Sequence, residues 1–278
     1  MAPATTTSVA AAHPPAPPSL AELGLDLLRV GRARRAVTLA APFACAGLYF
    51  AFASHGLWVP AVLTLVYLSF ITYGSISHDL VHRTLGLPRR WNEFLLTVIE
   101  LLAFRSGHAY RLAHLHHHAR FPHDDDIEGA AAKMSFLRTL FEGVIFQPRI
   151  MAWALARHSR TAPVVVVQIA LVIVLLAGCF AALAWTPVFA MYAVLMVMGG
   201  WVIPLVTSYI PHNPAGSSAL SQTRLFRGKI ASVIALEHLY HLEHHLYPAV
   251  PHHNWPELAR RLDPCFKSAG VEPVVLGF

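Results

Sequence analysis

The sequence predicts an all-α membrane protein: four transmembrane helices in two hairpins, with interfacial helices and a cytoplasmic histidine-rich cap. Three observations lead there. Hydrophobic residues are 55% of the 278 and charged residues only 13%, too apolar for an ordinary soluble domain. The apolar residues fall in long blocks, each enough for a helix across roughly 30 Å of hydrocarbon. None of the 21 lysines and arginines lies between Ala36 and Ser77, or between Thr161 and Thr223. The net charge of +6 therefore reads as membrane orientation and not as a nucleic-acid surface.

Residues 1–28 are read as a disordered cytoplasmic tail, rich in Ala, Pro, Thr and Ser at its start. Residues 29–278 are read as one membrane domain. Arg29, Arg32, Arg34 and Arg35 precede a first span at about 36–53, and a second follows at 57–77 after Ser54-His55-Gly56. In the polar stretch 78–162, Trp91 to Phe104 is apolar but too short to cross and carries Glu93 and Glu100. It is expected as a helix at the interface or dipping partway in. Phe136 to Phe146 reads as a second interfacial helix with Arg138 on its polar side. Spans three and four, at 163–185 and 187–210, form a hairpin with Thr186-Pro187 at the tip. From Pro211 the chain ends in a soluble segment. Both hairpin tips lack positive charge, so the tail, the middle and the C-terminal segment are placed in the cytoplasm together. Cys45, Cys179 and Cys265 match no zinc or iron–sulfur spacing, and a disulfide framework is not expected.

The chemistry is carried by histidine. His241-x-x-His244-His245 has offsets i, i+3 and i+4, which share one helix face. His114-x-x-His117-His118 repeats the pattern, and His78-x-x-x-His82 closes the second span. Imidazoles so close would repel if protonated, so they make most sense as neutral metal ligands. Eight such residues exceed the four a single zinc takes, which points to two metals. His212, just past the fourth span in Tyr209-Ile210-Pro211-His212, is placed as a ninth ligand. His238, three residues before His241, could also face the metals. Asp79 and Asp126 are candidate carboxylates that orient a ligand imidazole; Asp126 belongs to the acidic run Asp124-Asp125-Asp126 with Glu128. His116 and His123 fall outside the ligand spacing and are read as hydrogen-bonding, Glu243 as pointing elsewhere, and His252 and His253 as structural. A metal transporter is the non-enzyme alternative. Transporters place ionisable groups near the bilayer midplane, whereas these spans contain no Asp, Glu, Lys, Arg or His. Imidazole also suits zinc, so ligand type alone leaves a membrane hydrolase open.

The three boxes resemble those of the membrane fatty acid desaturase superfamily, over residues from His78 to about Leu262. His-Leu-Glu-His-His-Leu-Tyr-Pro followed by Val250-Pro251-His252-His253-Asn254-Trp255 looks like the third-box neighbourhood of acyl-chain desaturases. The resemblance implies two iron ions at the cytoplasmic face, dioxygen as co-substrate and two external electrons per turnover. It also implies a buried alkyl or isoprenoid substrate that loses hydrogen from unactivated C–H bonds. Tyr209-Ile210-Pro211-His212 and the acidic run are similar to carotenoid ketolases and hydroxylases, relatives with the same boxes. The third box favours the fatty acyl desaturase. The chain shows no iron–sulfur cysteine set and no glycine-rich dinucleotide fingerprint, so a separate ferredoxin or small haem cytochrome is the expected donor. Its candidate docking residues are Arg89, Arg90, Arg224, Arg227 and Lys229. A bacterial inner membrane is the expected location.

Overall fold

The computed structural model describes residues 16–228 and 238–276. Four helices are long and apolar enough to cross a membrane: Arg32–Ser54, Trp58–His82, Ala162–Ala184 and Val188–Tyr209. The two hairpins lie together. The Tyr49 hydroxyl of the first span donates to the Val188 carbonyl at the start of the fourth (2.7 Å), which joins the two hairpin tips. Apolar faces such as Tyr49, Leu65, Leu68 and Met196 fill the core between the spans.

The helix expected at Trp91–Phe104 runs Arg89–Leu102, and its C-terminal end enters the bundle. There the Leu102 carbonyl accepts from the Tyr192 hydroxyl of the fourth span (2.8 Å). Buried Gln168 of the third span holds the same region: its side chain meets Thr97 (2.7 Å) and Ser106 (2.7 Å). Glu100, an unpromising residue for such a place, is 0% exposed and pairs with Arg105 through the guanidinium Nε and Nη2 (2.8 and 3.1 Å). Arg105 also donates to Thr72 of the second span (2.8 Å). Removing one partner would strand a buried charge. Glu100→Ala is therefore expected to destabilise the fold by about 3–5 kcal/mol, seen as a lower thermal midpoint in detergent. An unchanged midpoint would show the pair to be dispensable.

The helix expected at Phe136–Phe146 is longer, running Phe136–Arg157 through Pro148. Gln147-Pro148-Arg149 interrupts the apolar pattern, but Arg149 is anchored within the helix by Glu142 (2.6 Å). Its buried face is Thr139, Glu142, Phe146, Ile150 and Ala154, the spacing of one helical stripe.

A second, smaller core lies at the histidine-bearing end. Leu242, Trp255, Leu258, Leu262 and Phe266 pack there with Leu23 and Leu27. This corrects the tail, which from the sequence extends to residue 28. Leu20–Leu23 and Leu25–Leu28 form short helices, and Asp26 pairs with Arg261 of the Trp255–Ser268 helix (2.7 Å). Residues 1–15 lie outside the described part.

Candidate metal centre

The second span does not reach its histidines as a plain α-helix. Thr72–Ile76 is a single π turn, and α-helix resumes at Ser77. One extra residue shifts the phase of everything after it by about 100°, so the turn decides where His78 and His82 aim. Arg83, at φ 58°, ends the helix directly after His82. The fourth span has a matching π turn, Leu205–Tyr209, just before His212. The second box rides on the Gly107–Arg120 helix, whose N-terminus is capped by Ser106. The third box forms the short helix His241–Leu246.

Among the described residues these elements bring nine imidazoles into two sets. His78, His82, His114, His118 and His244 form one; His117, His212, His241 and His245 form the other. Within each set the ligand nitrogens lie within 4.8 Å of one another. The boxes are thus split between the sets. In both the second and third boxes the i, i+4 pair stays together, and the i+3 residue reaches across to the other set.

In the first set, Nε2 of His244 lies 2.9 Å from that of His78 and 2.8 Å from that of His118. In the second, Nε2 of His212 lies 3.0 Å from His117, 3.1 Å from His245 and 3.3 Å from His241. The outer nitrogens fix the protons. His117 Nδ1 meets Asp126 Oδ2 at 2.7 Å, His114 Nδ1 meets both Glu128 oxygens at 3.1 Å, and His212 Nδ1 meets the Ser208 carbonyl at 3.1 Å. Carboxylate and carbonyl oxygens only accept, so each Nδ1 carries the proton and each Nε2 presents a lone pair. His117 and His212 then face each other lone pair to lone pair. A cation resolves that conflict. Two imidazole nitrogens about 2.1 Å from one ion and at right angles lie about 3.0 Å apart, which is the spacing found. The residues fit two metal ions.

Protonation agrees with neutral ligands. Burial, then the charge of neighbouring imidazoles, pushes His118, His244 and His245 well below the ordinary histidine range. His117 differs: burial lowers it, but the Asp126 hydrogen bond and charge outweigh that and raise it.

The model of the fatty acid desaturase family matches residues 53–274. The chain belongs to the fatty acid desaturase family. With its four apolar helices it is an integral membrane protein. No curated protein matches the sequence. Membership of a desaturase family accounts for the histidines, and the structure adds what the boxes do not state.

Asp126 holds His117 and is itself fixed by the Gly129 N–H (2.9 Å). Glu128 serves His114 in the same way, so the acidic run supplies two partners, two residues apart. The other two candidates are corrected. Asp79 orients none of the nine imidazoles: it accepts from His252 Nδ1 (2.6 Å), the His252 N–H (3.0 Å) and Thr84 (2.8 Å). It tethers the first box to the cap, because its side chain leaves the helix about 100° around from that of His78 and reaches His252. His238 joins neither set. It lies against Gly74 and Phe70, is neutral because burial pushes it down to about 4, and keeps a buried Nε2 with no hydrogen-bond partner.

Glu243 does point elsewhere, to Arg227 (2.6 Å). Burial raises its carboxyl to about 7, and Arg227 works against that shift. His116 meets the Asp125 carbonyl (3.2 Å) outside both sets. Trp255, which ends the stretch resembling the third-box neighbourhood but has no role of its own in the sequence reading, packs on His78 and His244 with ring centroids 5.4 and 5.0 Å away.

Two cavities meet this centre. One of about 20 Å³ is lined by members of both sets, with Tyr73, Tyr110 and Glu128. The other, about 170 Å³ and apolar, lies between the second and fourth spans.

Proposed function

We propose that this protein is a dioxygen-dependent di-iron membrane oxidoreductase acting on unactivated C–H bonds of a lipid, foremost a fatty acyl desaturase. The observation that carries the proposal is two convergent sets of neutral Nε2 donors around one small cavity, beside an apolar one. Imidazole also binds zinc, copper and nickel; membership of the family favours iron. When bound, the two irons supply dioxygen reduction, with two external electrons, and removal of hydrogen from the substrate chain.

The chain's own residues prepare that chemistry. Asp126 and Glu128 hold the lone pairs of His117 and His114 inward. The Tyr73 hydroxyl donates to Glu128 (3.1 Å) and holds that carboxylate in place. A space of about 20 Å³ admits one water-sized molecule, enough for a diatomic and too small for bulk water.

A ferredoxin or small haem cytochrome is the proposed donor. Of the expected docking residues, Arg224 is committed to the Tyr209 and Ile210 carbonyls and Arg227 to Glu243 and Asp263. Lys229 lies outside the described residues. Arg89 and Arg90 are exposed and remain for docking. The Lys and Arg distribution supports a cytoplasmic histidine end, in a bacterial inner membrane. Carotenoid ketolation or hydroxylation is the second reading, favoured by His212 following Tyr209-Ile210-Pro211.

The test is lipid profiling of a host that expresses the chain with a ferredoxin and supplied carotenoid precursors. New double bonds in acyl chains, absent with His244→Ala, are expected. Oxygenated carotenoids with unchanged acyl chains would move the protein to the second reading.

A further inference from the structure

A third group of metal-binding side chains stands apart from the nine imidazoles. Asp79, His252 and His253 offer donor atoms within 4.8 Å of one another. Asp79 follows His78 on the first-box helix, and the short helical turn His252–Asn254 of the cap brings two imidazoles to it.

The carboxylate is held by one oxygen and offered by the other. Oδ1 accepts from the Thr84 hydroxyl (2.8 Å) and the His252 N–H (3.0 Å), whereas Oδ2 meets His252 Nδ1 (2.6 Å). Asp79 is 1% exposed, and among the described residues its ion-pair partner is an imidazole. A buried carboxylate ordinarily faces a full cation or a metal. His253 adds a second observation: its Nδ1 is buried and has no hydrogen-bond partner. Burial above all holds this ring below the ordinary histidine range, against the charge of Asp79, so it is a neutral donor. A tether between helix and cap explains the Asp79–His252 pair. It leaves the stranded nitrogen of His253 unexplained, and metal ligation accounts for both.

We propose that Asp79, His252 and His253 form a third metal site, which takes zinc. One carboxylate oxygen and two imidazole nitrogens, with water in the fourth position, complete the tetrahedral coordination that zinc adopts. The ion takes the place of the proton shared by Asp79 and His252, and neither set of imidazoles gives up a ligand. Its role is mechanical. Trp255, next to this turn, packs on His78 and His244, and Asn254 holds the Leu27 and Arg29 carbonyls (2.8 and 3.2 Å). An ion here pins the cap and the N-terminal segment against the first box, and it stabilises the fold by binding the folded chain alone.

The test uses the full-length, iron-loaded protein, incubated with excess zinc chloride, desalted and analysed for both metals. The wild type should hold one more zinc per chain than His253→Ala or Asp79→Asn, with equal iron in all three. Added zinc should raise the thermal midpoint of the wild type and leave those of the variants where they were. Zinc-edge absorption of the wild type, which needs no variant, should show imidazole and carboxylate ligands at about 2.0–2.2 Å. Equal zinc in the wild type and both variants would overturn the proposal, as would a wild type that retains none. Zinc gained only in step with iron lost would do the same, because it would belong to the two imidazole sets.

Discussion

His212→Ala is expected to halve the bound iron and to reduce activity by more than about 100-fold, beyond what losing an outer hydrogen-bond partner of a ligand costs. His212 belongs to none of the three boxes, yet it is 0% exposed and its Nε2 lies 3.0–3.3 Å from three other imidazoles. Without it the second set keeps His117, His241 and His245. The first set keeps all five members, so one ion should remain. Insertion should be unaffected, because the change removes a neutral ring and strands no charge. Metal analysis of purified protein, beside an activity assay, checks both numbers. Full iron occupancy in His212→Ala would remove this residue from the ligand set. His238→Ala is the control: it belongs to neither set and should retain its iron.

The spans and the boxes were legible because both are written in local spacing. A charge-free apolar block needs no partner to declare itself, and i, i+3, i+4 histidines announce a common helix face. What stayed hidden depends on distant chain segments. The π turns at Thr72–Ile76 and Leu205–Tyr209 have no sequence signature, because TYGSI and LVTSY read as ordinary apolar helix. Helical spacing put each box on one face, and the sharing of boxes between two sets could not be seen in it. Leu23 and Leu27 looked like part of a tail because the core they complete is made by Trp255, Leu258 and Leu262, more than two hundred residues later. That Asp79 cannot share the face of His78 is legible in helix geometry; that the imidazole it holds from another element is His252 and not one of the nine is decided 173 residues later.

Asp126→Asn should weaken iron binding at the second set by about 10- to 100-fold, the range for an outer partner of a ligand histidine, and the tautomer argument places it at the upper end. Asp126 uses Oδ1 for the Gly129 N–H (2.9 Å) and Oδ2 for His117 Nδ1 (2.7 Å). An asparagine that keeps the Gly129 bond must turn its NH₂ towards His117. Two donors then meet, and the imidazole can relieve the clash only by moving its proton to Nε2, the atom that would bind the metal. Glu128→Gln should be milder. Both Glu128 oxygens stand 3.1 Å from His114 Nδ1, so a glutamine can still present its carbonyl oxygen there. Competition with a chelator, followed by metal analysis, ranks the two variants. If Asp126→Asn held iron as tightly as the wild type, or less weakly than Glu128→Gln, the proton on His117 would not be under the control of Asp126, and the lone-pair argument for the second ion would lose its main support.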